Sequence, residues 1–232
     1  MSKRAPIDDR DVSKVLAQQL TPDGEELILM RRAGAYQLRV GGLELMSSHA
    51  HGSEEELAQV ALGHLESDYP ARVLIGGLGF GYTLRATLDR LNDSSRVVVC
   101  EVFEMLLEWN RGALGDLADH PLADPRVAVR HDDVQNLLGK AEEFDAIILD
   151  VDNGPEAFTL RSNNRLYTRK GIAKLFASLR RPGALAVWSS EEAPRFERRL
   201  EAAGFEVRSQ PSAALGASGG PDHTIILALR PE

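Results

Sequence analysis

One cysteine, Cys100, stands in 232 residues, which excludes an internal disulfide. No run of about 18 apolar residues occurs, so no membrane span is expected. The segment from Met1 to Arg10 is polar and lacks the apolar core of a secretory signal. A cytoplasmic location is the default expectation. Positive charge is in short supply: 27 Lys and Arg face 35 Asp and Glu, a net charge of -8. Nucleic acid is therefore not an expected partner, because phosphates want a basic face. The acidic balance suits a cationic small molecule such as an amine, or serves solubility alone. His49 and His51 lie two apart with no third ligand nearby, so no metal is expected. No Ser-His-Asp nucleophile signature stands out.

What is present is a change of pattern near residue 70. The first 20 or so residues read as a frayed tail or short helix. Glu26 to Met30, Tyr36 to Val40 and Leu43 to Met46 are short alternating runs separated by glycines, which predicts a small antiparallel hairpin or meander. Ser53 followed by Glu54, Glu55 and Glu56 predicts a helix start, with Ser53 as cap and acids in the first turn, running to about Ser67. From Ala71 onward strands alternate with helices. The expected strands are Arg72–Gly76, Arg96–Glu101, Arg126–His131, Phe144–Asp150, Ala184–Ser189, Phe205–Gln210 and His223–Leu229. Helical stretches are expected over Tyr82–Leu91, Phe103–Asn110, Val134–Leu138, Leu166–Leu179 and Pro194–Ala203. Pro211 to Asp222, rich in Ser, Gly and Ala, reads as a mobile loop, so the last two strands should pair as a hairpin. The fold class is α/β: a doubly wound, mostly parallel seven-stranded sheet of class I methyltransferase type. The expected organisation is 1–67 for tail, hairpin and linking helix, and 68–232 for a nucleotide-binding catalytic domain.

The residues suited to chemistry sit where strands end. Gly76-Gly77-Leu78-Gly79-Phe80-Gly81 joins a strand to the helix opening at Tyr82. Such a turn lets backbone approach a ligand and aims helix N–H groups at it. Gly76, Gly77, Gly79 and Gly81 are the candidate cradle for S-adenosylmethionine or a close relative. Glu101 ends the next strand, 20 residues after Gly81, where a carboxylate can accept hydrogen bonds from both ribose hydroxyls. A solvated strand-end acid is the alternative. Asp133, with Asp132 as the second choice, could accept a hydrogen bond from an adenine amino group or cap the following helix. Asp150 and Asp152 end the fourth strand in i, i+2 relation. They point the same way and could hold a cationic amine and remove its proton. A turn stabilised by Asp and Asn is the plain alternative. Cys100 reads as buried packing, and Trp109 and Trp188 as core or pocket wall.

These residues resemble the spermidine synthase (polyamine aminopropyltransferase) family, in particular its shorter bacterial members. The likeness runs from about Leu27 to Ser189. It rests on the Tyr36–Met46 hairpin, Arg72-Val73-Leu74-Ile75-Gly76-Gly77, Glu101, Asp133, Phe144 through Asp150, Gly154-Pro155, Leu166-Tyr167-Thr168 and Arg181-Pro182-Gly183. The resemblance implies Asp150 as base, Glu101 at ribose, Asp133 by adenine and Asp152 at the amine. The family's usual turn aspartate, which grips the aminopropyl ammonium, is Gly79 here. Its Asp-Ser-Ser-Asp segment is one residue shorter, and its Tyr-His-Glu is absent, with Leu57-Ala58-Gln59 in that region. Three functions follow as expectations: aminopropyl transfer from decarboxylated S-adenosylmethionine to an amine, methyl transfer from S-adenosylmethionine to an unknown acceptor, or a non-catalytic nucleoside-binding domain. The family commonly dimerises through its N-terminal region, which leaves a homodimer open.

Overall fold

The computed structural model describes residues 13–21, 24–139, 143–151, 153–156 and 163–232. Asp152 therefore lies outside the described residues. The chain divides into two compact units, 1–50 and 51–232.

In the first unit, β1 (Lys14–Leu20), β2 (Glu26–Arg32), β3 (Ala35–Val40) and β4 (Leu43–Ser47) form an antiparallel meander in that order. Alternate residues Leu27, Leu29, Leu38 and Val40 are buried, the period-2 signature of a one-sided sheet. Of the segment read as tail or short helix, 1–12 lie outside the described residues and Lys14–Leu20 is strand β1. Its side chains are nearly all exposed, so it carries no alternation to read; its place comes from backbone pairing with β2.

The second unit opens with helix α1 (Gly52–Leu62), so the helix expected to link the units belongs to the second. It stops at Leu62, short of Ser67. His51, not Ser53, occupies the N-cap position, and Ser53 is fully buried within the first turn. Seven strands follow: β5 (Arg72–Gly76), β6 (Arg96–Glu101), β7 (Val127–His131), β8 (Phe144–Leu149), β9 (Leu179–Ser189), β10 (Glu206–Ala213) and β11 (Asp222–Arg230). Their order is β10-β11-β9-β8-β5-β6-β7. All are parallel except β11, which runs antiparallel between β9 and β10. This is the expected doubly wound sheet with an antiparallel closing hairpin.

Both faces are covered, and successive residues of a strand serve opposite layers. Val73 and Ile75 join Leu57, Leu84 and Leu88 of α1 and α2 (Tyr82–Arg90), whereas Leu74 joins Ile172, Leu175, Phe196 and Leu200 of α4 (Arg169–Ser178) and α5 (Pro194–Ala202). Each such aliphatic side chain contributes about 1.5–3 kcal/mol on burial, and that explains the near-continuous apolar strands. Cys100 is buried in β6, and burial pushes its thiol up to about 12.

Three local expectations are corrected. Val134–Leu137 is a single 3-10 turn rather than a helix to Leu138. The helix expected from Leu166 starts at Arg169, because the Thr168 hydroxyl accepts the Gly171 N–H at 3.1 Å and fixes the start there. The stretch read as a loop from Pro211 is strand through Ala213, pairing with Asp222–Thr224, and only 214–221 connects the two strands.

Candidate functional site

The sheet reverses its winding between β5 and β8, and open α/β sheets bind ligands at the carboxyl end of that point. The glycine turn follows β5 and Asp150 follows β8. The two are fastened: Asp150 N–H donates to the Gly76 carbonyl at 2.8 Å, and Gly77 N–H donates to the Cys100 carbonyl at 2.9 Å. Gly77 has φ +86°, and a Cβ there would stand 1.9 Å from the Asp150 carbonyl oxygen. Only glycine lets the turn lie on the end of β8. Gly81, at φ +92°, occupies the N-cap position of α2 with no side-chain cap. Gly79 (φ +53°) has its carbonyl held by Asn110 Nδ2 at 2.9 Å.

Glu101 is 5% exposed, so it is not a solvated strand-end acid. Its Oε2 accepts Leu78 N–H at 3.0 Å and its Oε1 accepts Phe103 N–H at 2.9 Å. Burial raises its pKa, and these backbone donors oppose that. The Val102 and Gly79 N–H groups also reach it, so the carboxylate shapes the glycine turn from beneath. Asp133 caps the 3-10 turn: its Oδ1 accepts Gln135 N–H at 2.9 Å and its Oδ2 accepts Gln135 Nε2 at 3.1 Å. Asp132 is exposed and accepts Asn136 Nδ2 at 2.7 Å. All these groups stand at one edge, beyond β5, β6, β7 and β8.

Asp150 has unusual surroundings. Its Oδ2 accepts the Thr83 hydroxyl at 2.6 Å, its single side-chain hydrogen bond among the described residues. Burial raises its pKa, and the Thr83 bond opposes this. Glu54 lies near enough to feel its charge. Burial first, then Asp150, push Glu54 up to about 8. Like charges in this neighbourhood disfavour ionising both groups. From sequence Glu54 reads only as an acid in the first turn of the helix. Yet it shares a helix face with Leu57, Ala58 and Ala61, at offsets 3, 4 and 7, all buried. That offset was the available signal. Thr83 was missed as well; it sits in the first turn of α2 and is 3% exposed.

Beside the pair, Tyr82 stacks on His51 with ring centroids 4.0 Å apart. Burial, then Glu54 and Glu55, push its hydroxyl up to about 12. Tyr82 and His51 also border a cleft of ≈ 850 Å³ whose wall includes Glu55, Asp89, Asp116 and Asp119 against Arg85 and Arg90. Arg85 is paired with Asp89 at 2.6 Å. Ser53 brings in two more groups: Trp188 Nε1 donates to its hydroxyl at 3.0 Å, and His223 Nδ1 lies 3.0 Å from it.

No protein-family model matches the chain. A polyamine aminopropyltransferase from Pyrobaculum aerophilum is 31% identical over 118 residues, which cover 49% of this chain and 39% of that relative. The matched segment thus spans well under half the length of the relative. The spermidine synthase of Thermotoga maritima superposes with a TM-score of 0.72 at 20% identity, over 93% of this chain and 72% of that one. A spermidine synthase in complex with the transition-state analogue AdoDATO gives a TM-score of 0.71 with the same identity and coverage. A probable spermidine synthase from Corynebacterium glutamicum gives 0.64 at 16% identity, over 95% of this chain and 81% of that one. The chain has the fold of those spermidine synthases over nearly all its length, and is similar in sequence to the aminopropyltransferase over about half of it.

Proposed function

We propose that the chain transfers an aminopropyl group from decarboxylated S-adenosylmethionine to an amine. The observation that carries this reading is Asp150. It stands at the winding reversal against the glycine turn, with one side-chain donor among the described residues and Glu54 nearby. Buried carboxylic groups whose ionisation is opposed by burial and by each other are the pattern of a functional site. It suits an ammonium guest: a cation entering between the carboxylates relieves their repulsion. Four carboxylates against two guanidinium groups along the adjoining cleft give such a guest an acidic approach.

In this reading Gly76, Gly77, Gly79 and Gly81 leave room for the nucleoside, Glu101 receives the ribose hydroxyls, and Asp133 or Asp132 lies by adenine. The acceptor nitrogen attacks the carbon bound to the sulfonium. The C–N bond forms, the C–S bond breaks with its electrons left on sulfur, and the nitrogen's proton passes to Asp150. A raised pKa makes Asp150 a better base for it. Holding nitrogen and carbon in line supplies much of the rate. Asp152 is the second amine-binding carboxylate.

Gly79 favours one other reading. Without a carboxylate at that position, the turn has room for the carboxylate of intact S-adenosylmethionine, whose methyl group would then be transferred. Calorimetric titration with both compounds decides between them. Tighter binding of the decarboxylated form is expected. Tighter binding of the intact form would replace aminopropyl with methyl transfer. Failure of both to bind would overturn the transferase reading.

A further inference from the structure

The Ser53 hydroxyl is fully buried and meets three partners from three elements. Trp188 Nε1 of β9 donates to it at 3.0 Å. Glu54 Oε2 of α1 lies 2.8 Å away and His223 Nδ1 of β11 lies 3.0 Å away. A hydroxyl has one hydrogen and two lone pairs. The indole fills one lone pair and leaves two consistent arrangements. In one, Ser53 donates to an ionised Glu54 and accepts from a protonated His223 Nδ1. In the other, a protonated Glu54 donates to Ser53, which donates to a bare His223 Nδ1. The two differ only in where protons stand, so the hydroxyl couples the two titratable groups. With no exposed surface, Ser53 is excluded as a nucleophile.

We propose that Ser53 and His223 form the exit path by which a proton taken up at Glu54 during turnover reaches solvent. The proposal rests on the transferase reading for the source of the proton. The Glu54 proton moves to Ser53 Oγ as the Ser53 hydrogen moves to His223 Nδ1. The imidazolium then loses its Nε2 proton to water, and a flip of the ring turns a bare nitrogen back to Ser53. His223 retains partial exposure. Burial lowers its pKa, against an opposing contribution from Asp222, so the imidazolium discharges readily. The groups facing Glu54 are Asp150 beyond β8, Glu55 on its own helix and Tyr82 of α2. Those facing His223 are Asp222 and the Trp188 ring, 4.5 Å away edge-on. A purely structural pin of α1 to the sheet would need the same hydrogen bonds but no proton transfer.

The test is a nitrogen-15 titration of the His223 ring in the full chain. Besides the ring's own step at low pH, Nδ1 should show a second step at the Glu54 ionisation near pH 8. Glu54→Gln should erase that upper step alone. A wild-type His223 signal flat through that range would overturn the proposal. The transferase assay supplies an independent arm. His223→Gln keeps a hydrogen bond to Ser53 but cannot relay a proton, so kcat should fall about 10-fold or more at unchanged KM. Wild-type kcat in that variant would also overturn the path. A wild-type chain that shows the upper step but turns over no amine would instead sink the transferase reading and leave the coupling standing.

Discussion

Strand β8 has an aspartate near each end, and the two have opposite surroundings. Asp145, at the start, is 2% exposed and well supplied. Its Oδ2 accepts Arg72 N–H at 2.7 Å, its Oδ1 accepts the Tyr69 hydroxyl at 3.1 Å, and Arg180 Nη1 reaches both oxygens at 3.2 and 2.9 Å. Asp150, at the other end, has one hydroxyl and a neighbour of its own charge. The first carboxylate joins β5, β8 and β9 at the edge of the sheet away from the glycine turn. The second has a single side-chain donor among the described residues. Burial alone does not mark a functional acid; burial with unmet charge does.

The comparison breaks most visibly if the two are exchanged in role. Asp150→Asn should reduce product formation by about 10²–10⁴-fold, the scale of a lost general base. It should leave stability equal or higher, because a desolvated, repelled charge is gone. A product assay beside urea unfolding checks both, and unimpaired turnover would remove Asp150 from the base role. Asp145→Asn should do the reverse and cost about 2 kcal/mol in urea unfolding. That is below the ~3–5 of a fully buried pair, since Arg180 stays 39% exposed. A silent Asp145→Asn would erase the contrast. The smallest effect sharpens the Asp150 side. Glu54 is raised from 4.5 to about 8. Its favourable contribution is thus full below about 4.5 and lost as pH rises to about 8. Melting temperatures should show the wild type losing a few degrees relative to Glu54→Gln across that window. Parallel curves would mean that Glu54 titrates normally.

The sequence disclosed the sheet because its strands are covered on both faces. Val73 to Ile75 and Ala146 to Leu149 are unbroken apolar runs, and the glycines locate the reversal. It hid β1, whose exposed side chains carry no pattern, and the final hairpin's extension through Pro211, which depends on pairing with Thr224. Gly77, Glu101, Asp133 and Asp150 were legible as strand-end residues, and the fold brings them to one edge. The acidic neighbour of Asp150 was not legible. Ser53-Glu54-Glu55-Glu56 has the composition of a helix cap, and the rotation that buries Ser53 and turns Glu54 toward Asp150 comes from α1 packing on the sheet. The link between Ser53 and His223 joins residues 170 apart, beyond the reach of any local pattern.

Cys100 has a use unrelated to catalysis. Its thiol is buried between β5 and β7, and its carbonyl anchors Gly77. Held up near 12, the sulfur is inert to alkylating reagents until the sheet parts. As the sole cysteine it makes each modification a single, unambiguous event. The chain therefore carries its own stopwatch for how often the floor of the glycine turn opens.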